Sequence, residues 1–329
     1  MSLLLLALVV ICALLSYGLL LLLVPLLRIK LLDQPNFRSS HSLPTPSAGG
    51  LVFVVVSCLV SSYGLIAGSH SPINLLPLLA LPLAWVGWLD DKNDLPPTWR
   101  FFVQLLTAFL LLGASPLCQI LFTWGPVSFL LRLFLSVVLI IAIAAVINFT
   151  NFMDGVDGLV AGCMLVAITA LFISSEAPWP VWSLVGALVG FLFWNWSPAK
   201  VFMGDVGSTF LGAVFGGLVL QARDWPQAFA YLLVASPLMG DAFFCVLRRC
   251  LAGHKVFQAH RLHLFQRLHQ AGWSHSRVSL LYIAATLLLG VCMILGGLQL
   301  TFGIAVVLLL VGCWLDQRVA VPFAIASKS

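Results

Sequence analysis

Apolar runs of roughly 17–25 residues, long enough to cross a bilayer as helices, recur from one end of this chain to the other. Inside hydrocarbon every backbone polar group needs a partner within the protein, so such runs fold as spanning helices. The chain has 329 residues, 61% hydrophobic and 8% charged. A soluble domain carries about 25% charged residues, so a water-soluble enzyme is excluded and no nucleic-acid partner is expected. The expectation is an all-α, polytopic integral membrane protein forming one domain over 1–329. The first run, 2–27, lacks a basic leader and a small-residue cleavage site, so it reads as a retained helix.

Loop signals divide the chain into about eleven spans. They cover 2–27, 49–68, 73–89, 99–114, 128–147, 157–174, 180–195, 207–221, 226–247, 278–297 and 299–315. Fourteen of the sixteen Lys and Arg residues fall in loops on one face; Arg132 and Arg223 are the exceptions. The positive-inside rule makes that face cytoplasmic, with the N-terminus outside and the C-terminus inside. Eight Cys form no CxxC pair and lie mostly in apolar runs, as small lipid-compatible residues do.

Nine of the eleven acids lie on the same face as the bases: Asp33, Asp90, Asp91, Asp94, Asp154, Asp157, Asp205, Asp241 and Asp316. Acids contribute little to topology, so this one-sidedness points to a metal and a phosphate substrate. Asp90, Asp91 and Asp94 follow an apolar helix in WLDDKNDLPPTWR; they read as cation ligands or as a solvated acidic turn. Asn148, Asn151, Asp154 and Asp157 recur every third residue and would stack along one side of a helix or tight helical turn. A polar seam between packed helices is the alternative. Asn195, Lys200 and GDVGS around Asp205 form a short loop that opens a helix, where a metal would meet a phosphate. An Asp N-cap is the plainer reading. Intramembrane Asp241 reads as functional or as a structural pair with Arg248 or a neighbouring helix.

The segment 248–277 carries six of the sixteen bases and five of the seven His. His260, Arg261 and His263 fit a pyrophosphate clamp, because Arg and His give charge-assisted bonds to phosphate. Arg267 and His269 fit a basic surface on anionic lipid, and His254 and His275 fit loop positions. Arg38 and His41, in a Pro-braced loop, would meet a phosphate or serve only as positive-inside residues.

Together, DQPNFRSSHSLPTP, GWLDDKNDLPPTWR, NFTNFMDGVDGL, SPAKVFMGDVGST and AHRLHLFQRL resemble the bacterial polyprenyl-phosphate N-acetylhexosamine-1-phosphate transferases, glycosyltransferase family 4. The order of these stretches is the family's order, and they span nearly the whole chain. The branch that starts O-antigen or other surface-glycan synthesis is the most similar. The resemblance implies eleven spans in the bacterial inner membrane and an active site on the cytoplasmic face. Its substrates would be undecaprenyl phosphate and a UDP-N-acetyl amino sugar, with Mg²⁺ as cofactor and Mn²⁺ as a substitute. It implies Asp205 and Asn151 as metal ligands. Catalytic residues would be Asp90, Asp91, Asp154, Asp157 and His260. Substrate would meet Arg38, His41, Asn148, Asn151, Asn195, Arg261 and His263. Where relatives often read PTPRGGG, this chain has PTPSAGG, lacking a base at Ser47 and a Gly at Ala48. A peptidoglycan-precursor phosphotransferase and a secondary transporter of anionic solutes are the competing readings. Oligomeric state is open, and a homodimer is compatible with the sequence.

Overall fold

The computed structural model describes residues 2–35, 43–93, 95–123, 125, 128–253 and 260–327. Its first half contains α1 (Leu3–Lys30), β1 (Leu32–Asp33), β2 (Thr45–Pro46), α2 (Leu51–Ile66), α3 (Leu76–Leu79), α4 (Leu81–Asn93), α5 (Pro97–Gly113), α6 (Pro116–Thr123) and α7 (Phe129–Phe152). The second half contains α8 (Leu159–Ser174), α9 (Trp182–Asn195), α10 (Asp205–Leu220), α11 (Trp225–Val234), α12 (Ser236–Leu251), α13 (Leu264–Gln270), α14 (His275–Arg318) and α15 (Phe323–Ala326). Among the described residues the protein is all-α apart from one two-residue antiparallel pair, β1 with β2.

A helix that is apolar on every side must be buried on every side. α10 meets that condition: every residue from Val206 to Leu220 is buried. It forms the axis of the bundle, touching α2, α3, α4, α5, α7, α8 and α11. Small residues let neighbours come this close. A Cβ built on Gly212 would lie 2.8 Å from Ile147 Cα of α7. The α1–α9 contact follows the same rule, since side chains on Gly186 and Gly190 would collide with the Val9 and Ala13 carbonyls.

The outward faces are apolar too. Leu22 on α1 is 72% exposed, Phe134 on α7 62% and Leu310 on α14 64%. A soluble protein does not carry such a surface; a lipid-facing one requires it. Residues Leu3–Lys30, Pro72–Asn93, Phe129–Phe152 and His275–Arg318 are each long and apolar enough to cross a membrane. The expected span 226–247 is bent, and the expected span 99–114 is followed by a bend into a further short helix. α5 turns by 69° into α6, and α11 by 80° into α12, at Pro116 and Pro237, which lack the N–H that a continuing helix needs.

α14 is two helices. Its 44 residues would extend about 66 Å if straight, twice the hydrocarbon thickness. Yet His275 at its start pairs with Asp157, while Asp316 near its end pairs with Arg267, eight positions before His275. Gly297, at φ 58° and ψ −149°, makes the reversal. The arms match the expected runs 278–297 and 299–315.

Candidate active site

The end of α4, the start of α5, the end of α7 and the start of α10 converge at one end of the bundle. Neighbouring acids on a helix point about 100° apart, and Asp90 and Asp91 diverge accordingly. Asp91 crosses to α10, where Oδ1 accepts the Asp205 N–H at 3.0 Å and Oδ2 the Val206 N–H at 3.4 Å. It thereby satisfies donors that a helix N-terminus leaves open. Asp90 turns the other way, accepting the Leu95 N–H at 2.8 Å and pairing with Arg100 Nη1 at 2.6 Å. Arg100 also reaches Asp205 Oδ2 through Nη2 at 2.8 Å.

The loop under Asp205 is braced from below. Gly49 and Gly50 donate N–H bonds to the Phe202 and Met203 carbonyls, each 2.9 Å long. Gly204, at φ 73°, has no room for a side chain: a Cβ would lie 2.8 Å from Ala48 N and against Asp91. Gly87 of α4 lies so near that a Cβ there would stand 2.6 Å from the Asp205 carbonyl. The PTPSAGG segment therefore supports the Asp205 loop through its backbone. Its departure at Ala48 is accommodated at φ 64°, with the methyl fully buried.

Asn151, at the end of α7, joins the group. With its amide oriented to satisfy every neighbour, the oxygen accepts from Arg100 Nη2 at 3.1 Å. The nitrogen then donates to Asp205 Oδ1 at 3.1 Å and Ser208 Oγ at 2.7 Å. The expected polar row does not continue as one helix, because α7 ends at Phe152 and leaves Asp154 and Asp157 in the following loop. Asp154 makes no side-chain hydrogen bond or ion pair among the described residues. Burial, then the charges of Asp205 and Asp157, push its pKa up to about 7.

Three expected site residues are committed to holding loops together. Asp157 pairs with His275 Nδ1 at 3.1 Å and accepts the Ala199 N–H at 3.1 Å. Burial pushes its pKa up, but the bond to His275, that residue's charge and the Ala199 N–H outweigh this and hold it below the usual carboxylate range. Asn195, 4% exposed, accepts the Gly158 N–H at 3.1 Å and donates to the Val201 carbonyl at 3.0 Å. Asn148 donates to Gln104 at 2.7 Å, across from α5. These bonds tie the segments that flank the carboxylate cluster to one another. Arg38, His41, Asp94 and His254 lie outside the described residues.

The basic segment forms a second cluster. Asp241 accepts the Leu264 and Phe265 N–H groups at 2.7 and 3.0 Å and the Tyr282 hydroxyl at 2.8 Å. It caps α13 instead of pairing with Arg248, which binds Asp316 at 2.7 Å. His263, expected at the substrate, is only 2% exposed and stacks between His260 and Phe265. Arg267 is also 2% exposed, which overturns its expected place on the lipid surface. It binds Asp316 and the Leu262 and Val321 carbonyls, because a buried guanidinium must fill its donors. His269 bonds the Trp273 carbonyl through Nδ1 at 2.8 Å and likewise serves the local fold. Arg261 and His260 are partly exposed. α13 packs on the Asp154 loop, since a Cβ on Gly155 would sit 3.2 Å from the Phe265 ring.

Arg100 and His275 are the residues that sequence reasoning missed. Arg100 fits the positive-inside pattern as a topological base, although it lies ten positions after Asp90. Nothing in the sequence pairs His275 with Asp157, 118 positions away. The first cluster gathers Asp90, Asp91, Asp154 and Asp205 around Arg100, the one base ion-paired to them among the described residues. Oxygen donors in net negative surroundings, including the uncommitted Asp154, suit a hard divalent cation.

The glycosyl transferase family 4 model matches residues 73–223. An undecaprenyl-phosphate alpha-N-acetylglucosaminyl 1-phosphate transferase of Yersinia pestis is 30% identical over 294 residues, covering 84% of this chain and 79% of that protein. A decaprenyl-phosphate N-acetylglucosaminephosphotransferase of Mycobacterium leprae is 30% identical over 295 residues, covering 77% and 74%. A probable undecaprenyl-phosphate N-acetylglucosaminyl 1-phosphate transferase of Bacillus subtilis is 27% identical over 277 residues, covering 78% and 74%. Identity at this level over most of both chains, with the carboxylate cluster inside the matched region or beside it, shows that this chain belongs to glycosyl transferase family 4, among the polyprenyl-phosphate N-acetylhexosamine-1-phosphate transferases.

Proposed function

We propose that the protein transfers an N-acetyl amino-sugar 1-phosphate from a UDP-sugar to undecaprenyl phosphate, releasing UMP, as the first step of O-antigen or related surface-glycan synthesis. The observation that carries this reading is the carboxylate group around Asp205, in which Asp154 makes no side-chain hydrogen bond or ion pair among the described residues. Such a group is costly in a membrane protein unless a cation and an anionic substrate complete it. The proposed topology is eleven crossings of the bacterial inner membrane, with the N-terminus outside and the site on the cytoplasmic face.

Asp205, Asp154 and Asn151 would hold Mg²⁺ through oxygen atoms, with Mn²⁺ as a substitute. When bound, the ion supplies charge neutralisation at the donor diphosphate. The lipid phosphate is largely ionised at neutral pH, so its oxygen attacks the β-phosphorus directly. The new P–O bond forms as the bond from the β-phosphorus to the α–β bridging oxygen breaks, and UMP leaves with that electron pair. Arg100 releases Asp90 or Asp205 to face the charge spread over the phosphoryl oxygens. Asp91 fixes Asp205 by its backbone. Arg261, with His260 beside it, meets the nucleotide diphosphate.

The test is UMP release by purified protein given undecaprenyl phosphate, Mg²⁺ and a panel of UDP-amino sugars, with and without EDTA. Release that requires lipid and metal with one donor supports the reading and names the sugar. UDP-MurNAc-pentapeptide as the sole active donor moves the assignment to peptidoglycan-precursor transfer. Silence across the panel in folded protein, with solute uptake by vesicles, moves it to a transporter. Asp205→Ala should abolish release and leave membrane insertion intact.

A further inference from the structure

We propose that Asp316, near the end of α14, is a positioning residue. Through Arg267 it holds α13, and the turn of residues 260–263 that precedes it, against the Asp154 loop. The affinity for the sugar-nucleotide donor depends on that placement, a consequence that rests on the reading of Arg261 as a donor contact.

α13 has seven residues, and isolated helices shorter than about 12–15 residues are marginal. What it packs against therefore decides where it lies. Asp241 caps its start. Phe265 and Arg267, two positions apart, project about 200° from one another around the helix. Phe265 meets the Asp154 loop at Gly155. Arg267, on the other side, bonds Asp316, the Val321 carbonyl at 2.8 Å and the Leu262 carbonyl at 3.1 Å. One guanidinium thus ties together the end of α14, the segment after it and the turn that carries His260 and Arg261.

The surroundings reinforce this tie. Asp316 spends one oxygen on Arg267 and the other on Arg248, and both guanidinium groups lie within 6 Å of the Phe323 ring centre, at 5.8 and 5.9 Å. The Val321 N–H returns a bond to the Arg267 carbonyl at 3.3 Å. Leu262, Cys245 and Ala326 are buried together, with Val321 and Phe323 packed on them. Arg267 is 2% exposed, and removing the partner of a buried charge is strongly destabilising to that arrangement. Without the Asp316 carboxylate the guanidinium turns toward water and gives up the Leu262 carbonyl. The turn then shifts, and the Asp154 loop loses the backing of Phe265. The bonds among Asp90, Asp91, Arg100 and Asp205 do not pass through α13, so that part of the site stays in place.

Hydrogen exchange on the purified full chain reads the placement with no substrate present. In Asp316→Asn the amides of 264–270 should exchange about 10-fold faster while those of α10 do not change. Asp316→Glu should restore protection, and Phe323→Ala should give a smaller increase over the same residues. In UMP release with UDP-N-acetylglucosamine and undecaprenyl phosphate, Asp316→Asn should raise the donor KM about 10-fold and leave the acceptor KM within about 2-fold. Unchanged exchange over 264–270 in folded Asp316→Asn overturns the proposal, and if that variant does not fold, unchanged exchange in Phe323→Ala does so. Equal rises in both KM values, or a fall in kcat alone, also overturn it, since a general loss of stability gives those. A wild type silent with this donor leaves exchange to decide the placement of α13, and the failure then belongs to the functional reading.

Discussion

Asp91 and Asp241 do the same local job in opposite surroundings. Each reaches from one helix to the N-terminus of another and accepts two successive backbone N–H groups. Around Asp241 the account closes, with Tyr282 donating to the carboxylate and His263 beside it. Around Asp91 it stays open, because three more acids share the neighbourhood and Arg100 bridges only Asp90 and Asp205. A balanced cap makes a joint, whereas an unbalanced one makes a place where a cation and a phosphate are wanted. Charge balance, and not the capping motif, separates structure from chemistry.

The comparison is sharpest in paired substitutions. Asp91→Ala should cost about 10²–10³-fold in turnover, since it frees the helix end that carries Asp205. Its Tm should change little, because removing one like charge offsets the lost cap. Asp241→Ala should instead lose about 2–4 kcal/mol of stability, having orphaned two N–H groups and a hydroxyl. Thermal melts and UMP release on both variants decide; equal Tm losses would sink the distinction. Gly87→Ala tests the same backbone from the other side. Its Cβ would stand 2.6 Å from the Asp205 carbonyl, and turnover should fall about 10²-fold with the fold retained.

A pH experiment probes the open charge account directly. The Asp154 pKa is raised to about 7 by burial, Asp205 and Asp157. The folded state therefore holds a proton that the unfolded chain has released from about pH 4 upward. Between those values the folded form binds more protons, so in chelator stability should fall as pH rises toward 7. Asp154→Asn should flatten that slope, and a wild-type melt insensitive to pH in this window would contradict the assignment. The smallest effect is expected at Ala48→Gly. Relief of a left-handed Ala is worth about 1–2 kcal/mol, and loss of a buried methyl returns about 0.8 kcal/mol. Tm should rise by a few degrees at most.

The motifs were legible where chemistry is written in short runs. Asp90–Asp91, Asn151, Asp154 and Asp205 were read as site residues from their sequence neighbourhoods, and the structure brings them together. Arg100 was hidden because a base at a helix start fits the positive-inside pattern as well as an ion pair. His263 and Arg267 were misplaced for the opposite reason. A basic, His-rich stretch reads as exposed until its partners, Asp241 and Asp316, arrive from other helices. Asn195 and Asp157 looked available because their partners, Gly158, Val201, Ala199 and His275, lie in other loops.

The sequence by itself determined the class of protein, an all-α membrane protein, because hydrocarbon leaves a long apolar run no option but a helix. It also determined the hairpin in α14, through Gly297 between two apolar runs, since only Gly adopts that backbone without strain. Tertiary structure alone decided which polar groups are spent and which remain for chemistry. That depends on partners 40 to 120 positions apart, and no local pattern encodes whether a carboxylate meets an N–H, an arginine or nothing.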